Sequence, residues 1–190
     1  QPYPGVLATL VKDSANNRYL LTTKDQGVYA FKDSVGAADH GKLISWTDPQ
    51  GHVQTYAYDP GTGLLSSVTA GDRVLTITYD GGRIQSVQDH TARSVSFGYD
   101  GNGDLTTVTD VRGEVWTYAY DGASHRLASV TDPEGRIIER NEYYGDGRAW
   151  RQFNGANQLV VELAYTANPD GTTTVVVTDA HGNAETLTYD

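Results

Sequence analysis

The stretch GDLTTVTDVRGEVWTYAYD, residues 103–121, decides the fold of this 190-residue chain. Its second half alternates, so that Trp116, Tyr118 and Tyr120 share one face. Period-two alternation in a run rich in β-branched and aromatic residues is typical of a half-buried strand. The first half has the length of another strand, and the Asp-Val-Arg-Gly between the halves contains residue types that are typical of a turn. The stretch therefore predicts a β-hairpin.

This motif recurs along the chain with a near-constant period. A Tyr-Asp pair ends each copy, at Tyr58-Asp59, Tyr79-Asp80, Tyr99-Asp100, Tyr120-Asp121 and Tyr189-Asp190, with degenerate copies at Tyr144-Gly145-Asp146 and Tyr165-Thr166. The spacings between these tyrosines are 21, 20, 21, 24, 21 and 24 residues. A second marker, Thr-Asp-x-x-Gly, lies between them and starts at Thr47, Thr109, Thr131 and Thr178. Two markers in phase indicate a true internal repeat.

The repeat predicts an all-β fold of tandem antiparallel hairpins, each of about 21 residues, that form one curved and twisted sheet. Residues 41–190 hold about seven such hairpins. Residues 1–40 contain short leading strands, predicted at 5–10, 18–23 and 27–31, and a polar loop at 32–40. A lone hairpin is marginally stable in water, so stacking of neighbours must provide the stability. A β-propeller is the rival fold, but seven units make too few blades to close a ring.

Two places depart from simple alternation. Leu105 and Val108 are three residues apart, so a bulge or twist is needed to turn both toward the same face. In the run 137–144, Arg140 and Glu142 stand at the inward positions, which predicts a bulge at Tyr143-Tyr144 or a turn in the sheet.

The composition limits the classes of function. The chain has no Cys, which excludes disulfides, thiolate metal sites and a cysteine nucleophile. Its net charge of −10 argues against nucleic acid and anionic membranes as partners. No run approaches 18 consecutive apolar residues, so no membrane insertion is expected. The absence of Met, including at position 1, suggests a piece of a longer or processed chain.

The carboxylates most suited to acid–base chemistry are periodic, whereas an active site is normally unique. They are Asp48, Asp59, Asp80, Asp100, Asp110, Asp121, Asp132 and Asp179. We interpret each as an acceptor for a backbone N–H in its own turn. No phosphate-binding loop and no Gly-x-Ser-x-Gly elbow occurs, so we expect no catalytic residue, no cofactor and no enzymatic activity.

A calcium loop is the alternative interpretation of one turn. Asp100, Asn102 and Asp104 alternate as oxygen ligands do in the first half of an EF-hand loop, but Leu105 and Val111 stand where that pattern requires Gly and Glu. A hairpin turn is the favoured interpretation, and the loop 168–171 leaves the same question open. The five histidines are scattered without the local pair that zinc sites usually need.

The aromatic residues allow a second function. Trp46, Trp116 and Trp150 are the best candidate platforms for sugar stacking, although they occupy unrelated repeat positions. Packing within the fold is the favoured interpretation of all three, because Tyr and Trp bury a broad ring and keep one polar group to pair.

The Tyr-Asp pair, the Gly-rich turn and the Leu-x-x-Val-Thr-Asp-x-x-Gly run together resemble the Rhs (YD-repeat) family. The resemblance covers residues 41–190, and residues 5–31 look like the segment that precedes such repeats. In that family the repeats form a β-sheet shell; bacterial members enclose a C-terminal toxin domain, and the related teneurin shell serves adhesion. The core-associated segment with its repeated Asp-Pro-x-Gly-Leu signature is not visible here, nor is a toxin domain.

The resemblance implies a structural segment of a secreted or cell-surface bacterial protein. Its partners would be the remainder of the same polypeptide, including an enclosed toxin domain. The alternative is a surface adhesin whose repeats bind a glycan or a partner protein.

Overall fold

The computed structural model describes residues 8–189, and this part of the chain consists of strands and turns. No helix occurs in it, and hence no helix able to cross a membrane. The strands are β1 (Thr9–Asp13), β2 (Arg18–Thr22), β3 (Val28–Lys32), β4 (Leu43–Thr47), β5 (Val53–Tyr58), β6 (Leu65–Ala70), β7 (Arg73–Asp80), β8 (Arg83–Asp89), β9 (Ser94–Tyr99), β10 (Leu105–Thr109), β11 (Val115–Tyr120), β12 (Leu127–Thr131), β13 (Ile137–Tyr143), β14 (Ala149–Asn154), β15 (Leu159–Ala167), β16 (Thr173–Asp179) and β17 (Ala184–Tyr189).

The chain divides into two compact units, Gln1–Ser96 and Phe97–Asp190, with the division inside β9. In the first unit each strand from β1 to β9 pairs antiparallel with the next one along the chain. In the second unit the same holds from β10 to β17. The predicted fold class, antiparallel hairpins in tandem, is confirmed.

The leading strands lie close to their predicted places. β2 and β3 match the expected runs, and the loop after β3 covers residues 33–42. The first predicted strand began at Gly5, but Gly5, Val6 and Leu7 lie outside the described residues, and β1 spans Thr9–Asp13.

A bulge recurs where Tyr-ending strands meet the next strand. Tyr58 pairs with Leu65 while Ala57 pairs with Ser67, so Ser66 is an extra residue. The same shift occurs between β7 and β8 and between β11 and β12. Because one residue is unpaired, the side chains of a Leu-x-x-Val run at both ends turn to one face. The expectation drawn from Leu105 and Val108 is thus met in the equivalent runs.

The strand pair that follows the third marker also contains a bulge. Between β13 and β14 the register shifts at Glu142 and Tyr143, so Trp150 is the extra residue. The register shift thus lies beside the predicted Tyr143-Tyr144, but its extra residue belongs to β14. The extra residue within the run 137–144 is Ile138, because Val130 pairs with Glu139 and Thr131 pairs with Ile137.

The two faces of the sheet differ in chemistry. In β5, Gln54, Tyr56 and Tyr58 are half-buried, whereas the intervening residues are exposed. In β11 the same alternation places Trp116, Tyr118 and Tyr120 on the half-buried side. The opposite face carries mainly Ser, Thr and Ala, exemplified by Thr78 and Ser86, whose hydroxyls lie 2.7 Å apart.

Very little of the chain is fully buried. Ala30 and Val175 are the buried hydrophobic residues of the described chain, and Asp132 is its buried charged residue. The accessible surface is 12398 Å², whereas a compact protein of this mass exposes about 9,000 Å². A sheet without a second layer leaves this additional surface exposed, so stability must come from contacts along the sheet.

Gly63 is the turn glycine with the strictest requirement. Its φ is +69°, and a Cβ placed on it would lie 2.5 Å from the carbonyl oxygen of Ala38. Gly71 has a similar φ of +61°, but a Cβ there meets nothing within 4 Å. Comparing Gly63 with Gly71 therefore separates the effect of backbone strain from the effect of steric overlap.

We expect Gly63→Ala to destabilise the first unit more than Gly71→Ala does. Both substitutions carry the left-handed strain of about 1–2 kcal/mol, and the first adds a backbone overlap. Urea unfolding of the two variants measures the difference. Equal losses would show that the loop containing Ala38 moves aside freely.

Candidate functional site

The repeat tyrosines tie each hairpin together through one hydrogen bond. The hydroxyl of Tyr58 donates to the carbonyl oxygen of Leu43 at 2.8 Å, and Tyr79 donates to Leu65 at 2.9 Å. In the second unit Tyr120 donates to Leu105 at 2.9 Å and Tyr143 to Leu127 at 2.8 Å. We call this bond the tyrosine lock. It satisfies a main-chain acceptor at the start of each Leu-bearing strand.

The lock also explains how a large aromatic residue is shielded without a second layer. The phenol reaches from the end of its own strand to the beginning of the preceding one, so its ring lies along the sheet. Burial raises the pKa of Tyr58, Tyr120 and Tyr143 above the ordinary value for tyrosine. These hydroxyls remain protonated donors throughout the physiological pH range.

Tyr143 occupies the lock position, whereas the sequence motif predicted Tyr144 there. Tyr144 instead donates to the carbonyl oxygen of Leu163 at 2.9 Å. Its ring packs edge-on against Tyr165 at 5.8 Å and lies 5.5 Å from Trp150. Tyr-Asp spacing alone does not reveal which of the two tyrosines forms the lock.

Two of the remaining predicted repeat tyrosines are exposed. Tyr99 is 37% exposed and Tyr189 is 52% exposed. Tyr165 packs against Tyr144. Asp190, the partner of Tyr189 in the sequence motif, lies outside the described residues.

A cation lies over several of these tyrosines, and the sequence reasoning missed this feature. Lys42 lies 5.1 Å from the ring centre of Tyr58. Arg148 lies 4.4 Å from that of Tyr165, and Arg126 lies 5.5 Å from that of Tyr143. Cation–π contacts of this kind contribute about 0.5–1 kcal/mol at exposed sites. The signal was available: a basic residue directly precedes the first residue of β4, β12 and β14.

The Thr-Asp-x-x-Gly marker forms one recurrent turn. Oδ1 of Asp110 accepts the backbone N–H groups of Arg112 at 2.8 Å and Glu114 at 3.0 Å. Oδ1 of Asp179 accepts those of His181 and Asn183 in the same way. The glycine of each turn has a positive φ, as at Gly113 with +83°. One carboxylate oxygen thus holds two turn amides.

Other predicted turn acids follow this scheme in varying degree. Asp48, Asp59, Asp100 and Asp132 each accept at least one backbone N–H of their own turn. Within residues 8–189, Asp80 and Asp121 form no such bond. Asp80 instead precedes the two-glycine turn between β7 and β8, and Asp121 lies 3.7 Å from Arg126.

The turn hydrogen bonds stabilise the ionised acids. The amide of Glu114 makes the largest contribution to lowering the pKa of Asp110 below its ordinary 3.8. For Asp179, the side-chain amide of Asn183 lowers the pKa most, followed by the backbone N–H of Asn183. A carboxylate that accepts these bonds is favoured over the neutral acid.

The candidate calcium loop is built as a turn of the same kind. Oδ1 of Asp100 accepts the N–H groups of Asn102 and Asp104, each at 2.9 Å. Asp104 in turn lies 2.7 Å from Nδ1 of His125. Across residues 8–189 no three His, Cys, Asp or Glu side chains converge as a metal site would require.

The three tryptophans occupy different surroundings. Trp116 is half-buried in β11. The guanidinium of Arg151 lies over Trp150, 4.0 Å from the centre of the indole ring. The indole N–H of Trp150 donates to Glu162. Trp46 lies 6.3 Å from Tyr29 and lines a hollow in the first unit.

We call this hollow the Trp46 hollow. It encloses about 620 Å³ and is lined by Trp46, His52, Gln54 and Arg73, among others. A second hollow of about 300 Å³ shares Gln54, Ala70 and Arg73 with it. His52 is held on Asp48, with Nδ1 and Oδ2 2.7 Å apart. The two hollows are therefore neighbours and lie on the half-buried face, to which Gln54 belongs.

The family profile described as RHS Repeat matches residues 39–74 and 99–137. These segments contain the hairpins of Tyr58 and Tyr120, in which the tyrosine lock and the Thr-Asp-x-x-Gly turn are both formed. These two segments are therefore Rhs repeats, and the resemblance stated from the motifs is confirmed. No curated protein matches the chain.

Several solved structures resemble the fold. They include TcdB2-TccC3-Cdc42, 13% identical over 95% of this chain and 14% of that chain, with a TM-score of 0.45. TcdB2-TccC3-TEV is 12% identical over 90% and 13%, with a TM-score of 0.48. The Tc holotoxin pore of Photorhabdus luminescens is 12% identical over 90% and 13%, with a TM-score of 0.41. This chain thus spans about one seventh of the length of those chains.

We expect Tyr120→Phe to lower the free energy of unfolding by about 0.5–1.5 kcal/mol, because it deletes the hydroxyl that satisfies the Leu105 carbonyl. Tyr118→Phe is the matched control, since Tyr118 lies two residues away on the same half-buried side of β11. Chemical denaturation of both variants makes the comparison. If Tyr120→Phe lowers the free energy of unfolding no more than Tyr118→Phe does, the lock does not contribute to stability.

Acid should destabilise the repeats through their turn carboxylates. The folded pKa of Asp48, Asp110 and Asp179 lies below the unfolded value, so their contribution is complete above the unfolded pKa. It is lost as pH falls through the folded pKa. The thermal midpoint should therefore be flat above about pH 5 and decline below about pH 4.

Asp110→Asn is the control for this titration. Asn154 already accepts the amides of Ala156 and Gln158 in an equivalent turn, so an amide oxygen can serve there. The variant should keep most of its stability at neutral pH and lose less on acidification. If its acid response equals that of the unmodified chain, the carboxylate at 110 does not contribute to it.

Proposed function

We propose that this chain is a wall segment of a secreted Rhs-type shell that encloses or presents a C-terminal toxin domain. The proposal assigns it a mechanical role and no catalytic one. Its partners are the remainder of the same polypeptide and the enclosed domain, and its location is the bacterial exterior or cell surface. Cofactors, nucleic acid and membrane insertion have no part in the proposal.

The observation that carries the proposal is the tyrosine lock. In successive hairpins a phenol hydroxyl reaches back to a leucine carbonyl, so a single layer of strands holds its own aromatic face. A wall must be thin and extended while resisting local opening, and hairpins that are tied only to their sequence neighbours meet that need. The family match supports the same role, because it falls on hairpins that carry the lock.

A glycan-binding surface module is the second candidate. The Trp46 hollow favours it, because a half-buried indole beside polar side chains is a suitable wall for a sugar ring. This function does not require an enclosed domain. The two candidates therefore predict different behaviour of the parent protein.

Limited proteolysis of the full-length parent tests the shell. With the repeats intact, the C-terminal domain should be digested much more slowly than the same domain produced alone. Phe substitutions at Tyr58, Tyr79 and Tyr120 together should speed its digestion, because they weaken three locks. Phe substitutions at Tyr56 and Tyr118, which are not lock positions, are the control.

Digestion of the C-terminal domain at one rate, with the repeats present or removed, would contradict enclosure. The glycan-binding candidate would then remain, since it does not depend on protection.

A further inference from the structure

The residue that directly precedes β10 carries the opposite charge to its equivalents in other hairpins. Lys42 precedes β4 and lies over the ring of Tyr58, and Arg126 precedes β12 and lies over the ring of Tyr143. The residue before β10 is Asp104. This hairpin therefore has an anion at the position where two others have a cation.

Asp104 is held in surroundings that do not neutralise it. Its side chain is 10% exposed, and its Oδ2 atom is buried without a hydrogen-bond partner. Burial raises the pKa of Tyr120, the lock residue of this hairpin, and the charges of Asp104 and Asp100 raise it further. The lock of this hairpin thus lies in a negative field.

His125 is the side chain that reaches Asp104. Its Nδ1 lies 2.7 Å from Oδ1 of Asp104. The backbone of His125 has a φ of +60°, a conformation that glycine adopts at the corresponding place in other turns, as at Gly63 with +69° and Gly147 with +93°. A residue with a Cβ is strained in this conformation. Strain of this kind, at a residue with a charged partner, is a reason to look for a function.

The contact between His125 and Asp104 belongs to a series that joins neighbouring turns. The two residues are 21 positions apart, and at the same separation Nζ of Lys42 donates to the carbonyl oxygen of Gly63. Arg126 likewise lies against Gly147 so closely that a Cβ there would overlap its guanidinium. Lysine and arginine stay charged at neutral pH, whereas histidine changes its charge between pH 5 and 8. Of these three contacts, the one made by His125 can therefore respond to pH.

A proton is the cation that fits this position. A calcium ion takes six to eight oxygen ligands, and within the part of the chain that the structure describes no three His, Cys, Asp or Glu side chains converge. The Oδ2 atom of Asp104 is also enclosed by protein. A proton on the ring of His125 needs no additional space, and it places an imidazolium directly beside the carboxylate.

The other charges around the pair are engaged elsewhere. Apart from the pair itself, the charged and titratable groups nearby are Asp100, Tyr120, Asp121, Arg126, Tyr143, Asp146 and Arg148. The guanidinium of Arg126 lies 5.5 Å from the ring centre of Tyr143 and 3.7 Å from Asp121. Asp146 and Arg148 pair with each other in the next turn. Oδ1 of Asp100 accepts the backbone N–H of Asp104.

We propose that His125 and Asp104 form a pH-responsive latch between the turns 100–104 and 121–126, and that the latch tightens when His125 gains a proton. A neutral imidazole offers a single uncharged N–H to the carboxylate. An imidazolium makes a charge-assisted hydrogen bond, which is roughly twice as strong. Protonation of Asp104 itself, in stronger acid, removes the ion pair again. The inference is independent of the proposed function, because it concerns the contact between two hairpins whatever the sheet encloses or binds.

Amide hydrogen exchange of the chain, followed by NMR at pH 7.5 and 5.5 in the presence of EDTA, tests the latch. The reporting amides are those of Asp121, which donates to the carbonyl oxygen of Arg126, and of Ser124, which donates to that of Asp121. After correction for the intrinsic exchange rate, their protection should be about two- to fivefold higher at pH 5.5, the range expected for an exposed ion pair. The gain should follow the titration of the His125 ring signals. Opening of one turn is a local event, so the thermal midpoint should not change over this pH range.

Two substitutions remove the charge from either side of the latch. His125→Gln places an uncharged side chain on the same strained backbone, and Asp104→Asn removes the carboxylate. Each should make the protection of the reporting amides independent of pH. His52→Gln is the matched control, because His52 also lies 2.7 Å from a carboxylate, that of Asp48, but within its own turn in the first unit. It should leave the pH response of the reporting amides intact.

His125→Gly separates loss of the latch from loss of the fold. Glycine adopts a positive φ without strain, so this variant should keep the circular dichroism of the unmodified chain and lose the pH response. Equal protection at the two pH values in the unmodified chain, lower protection at pH 5.5, or a pH response that survives in His125→Gly would each overturn the proposal.

Discussion

The hydrogen bond from a tyrosine hydroxyl to a leucine carbonyl is the interaction on which this fold depends. A sheet that lacks a covering layer leaves one face of every strand open to water. Here the phenol rings turn along the sheet and cover part of that face, and their hydroxyls satisfy the carbonyls they cover. Each lock is a modest net contribution of about 1 kcal/mol. Repetition, not the strength of any one bond, makes the layer persistent.

The turns supply the second half of the construction. One carboxylate oxygen collects two amides at the Thr-Asp-x-x-Gly marker, so the chain reverses direction without leaving those donors unpaired. Locks and turns lie at opposite ends of the hairpins, and each involves residues close in sequence. Contacts of this short range favour a chain that forms from neighbouring units instead of around a central core. The small number of buried residues agrees with this picture.

The regular part of the fold could be predicted from the sequence because its determinants are local. The Trp116-x-Tyr118-x-Tyr120 alternation defines a strand wherever it occurs, and the spacing of Leu105 and Val108 already demands an irregularity. The choice of Tyr143 over Tyr144 was not predictable, since the two tyrosines are adjacent and only the structure shows which hydroxyl reaches the Leu127 carbonyl.

The extra residue at these bulges varies widely in its side chain. Ser66, Ala128 and Trp150 occupy this position in three hairpins, and they share neither size nor polarity. Because this residue has no pairing partner on the neighbouring strand, its side chain can change without moving the register of its neighbours. Where a strand pair contains this bulge, the extra position can therefore differ in chemistry from one hairpin to the next, as Ser66 and Trp150 do.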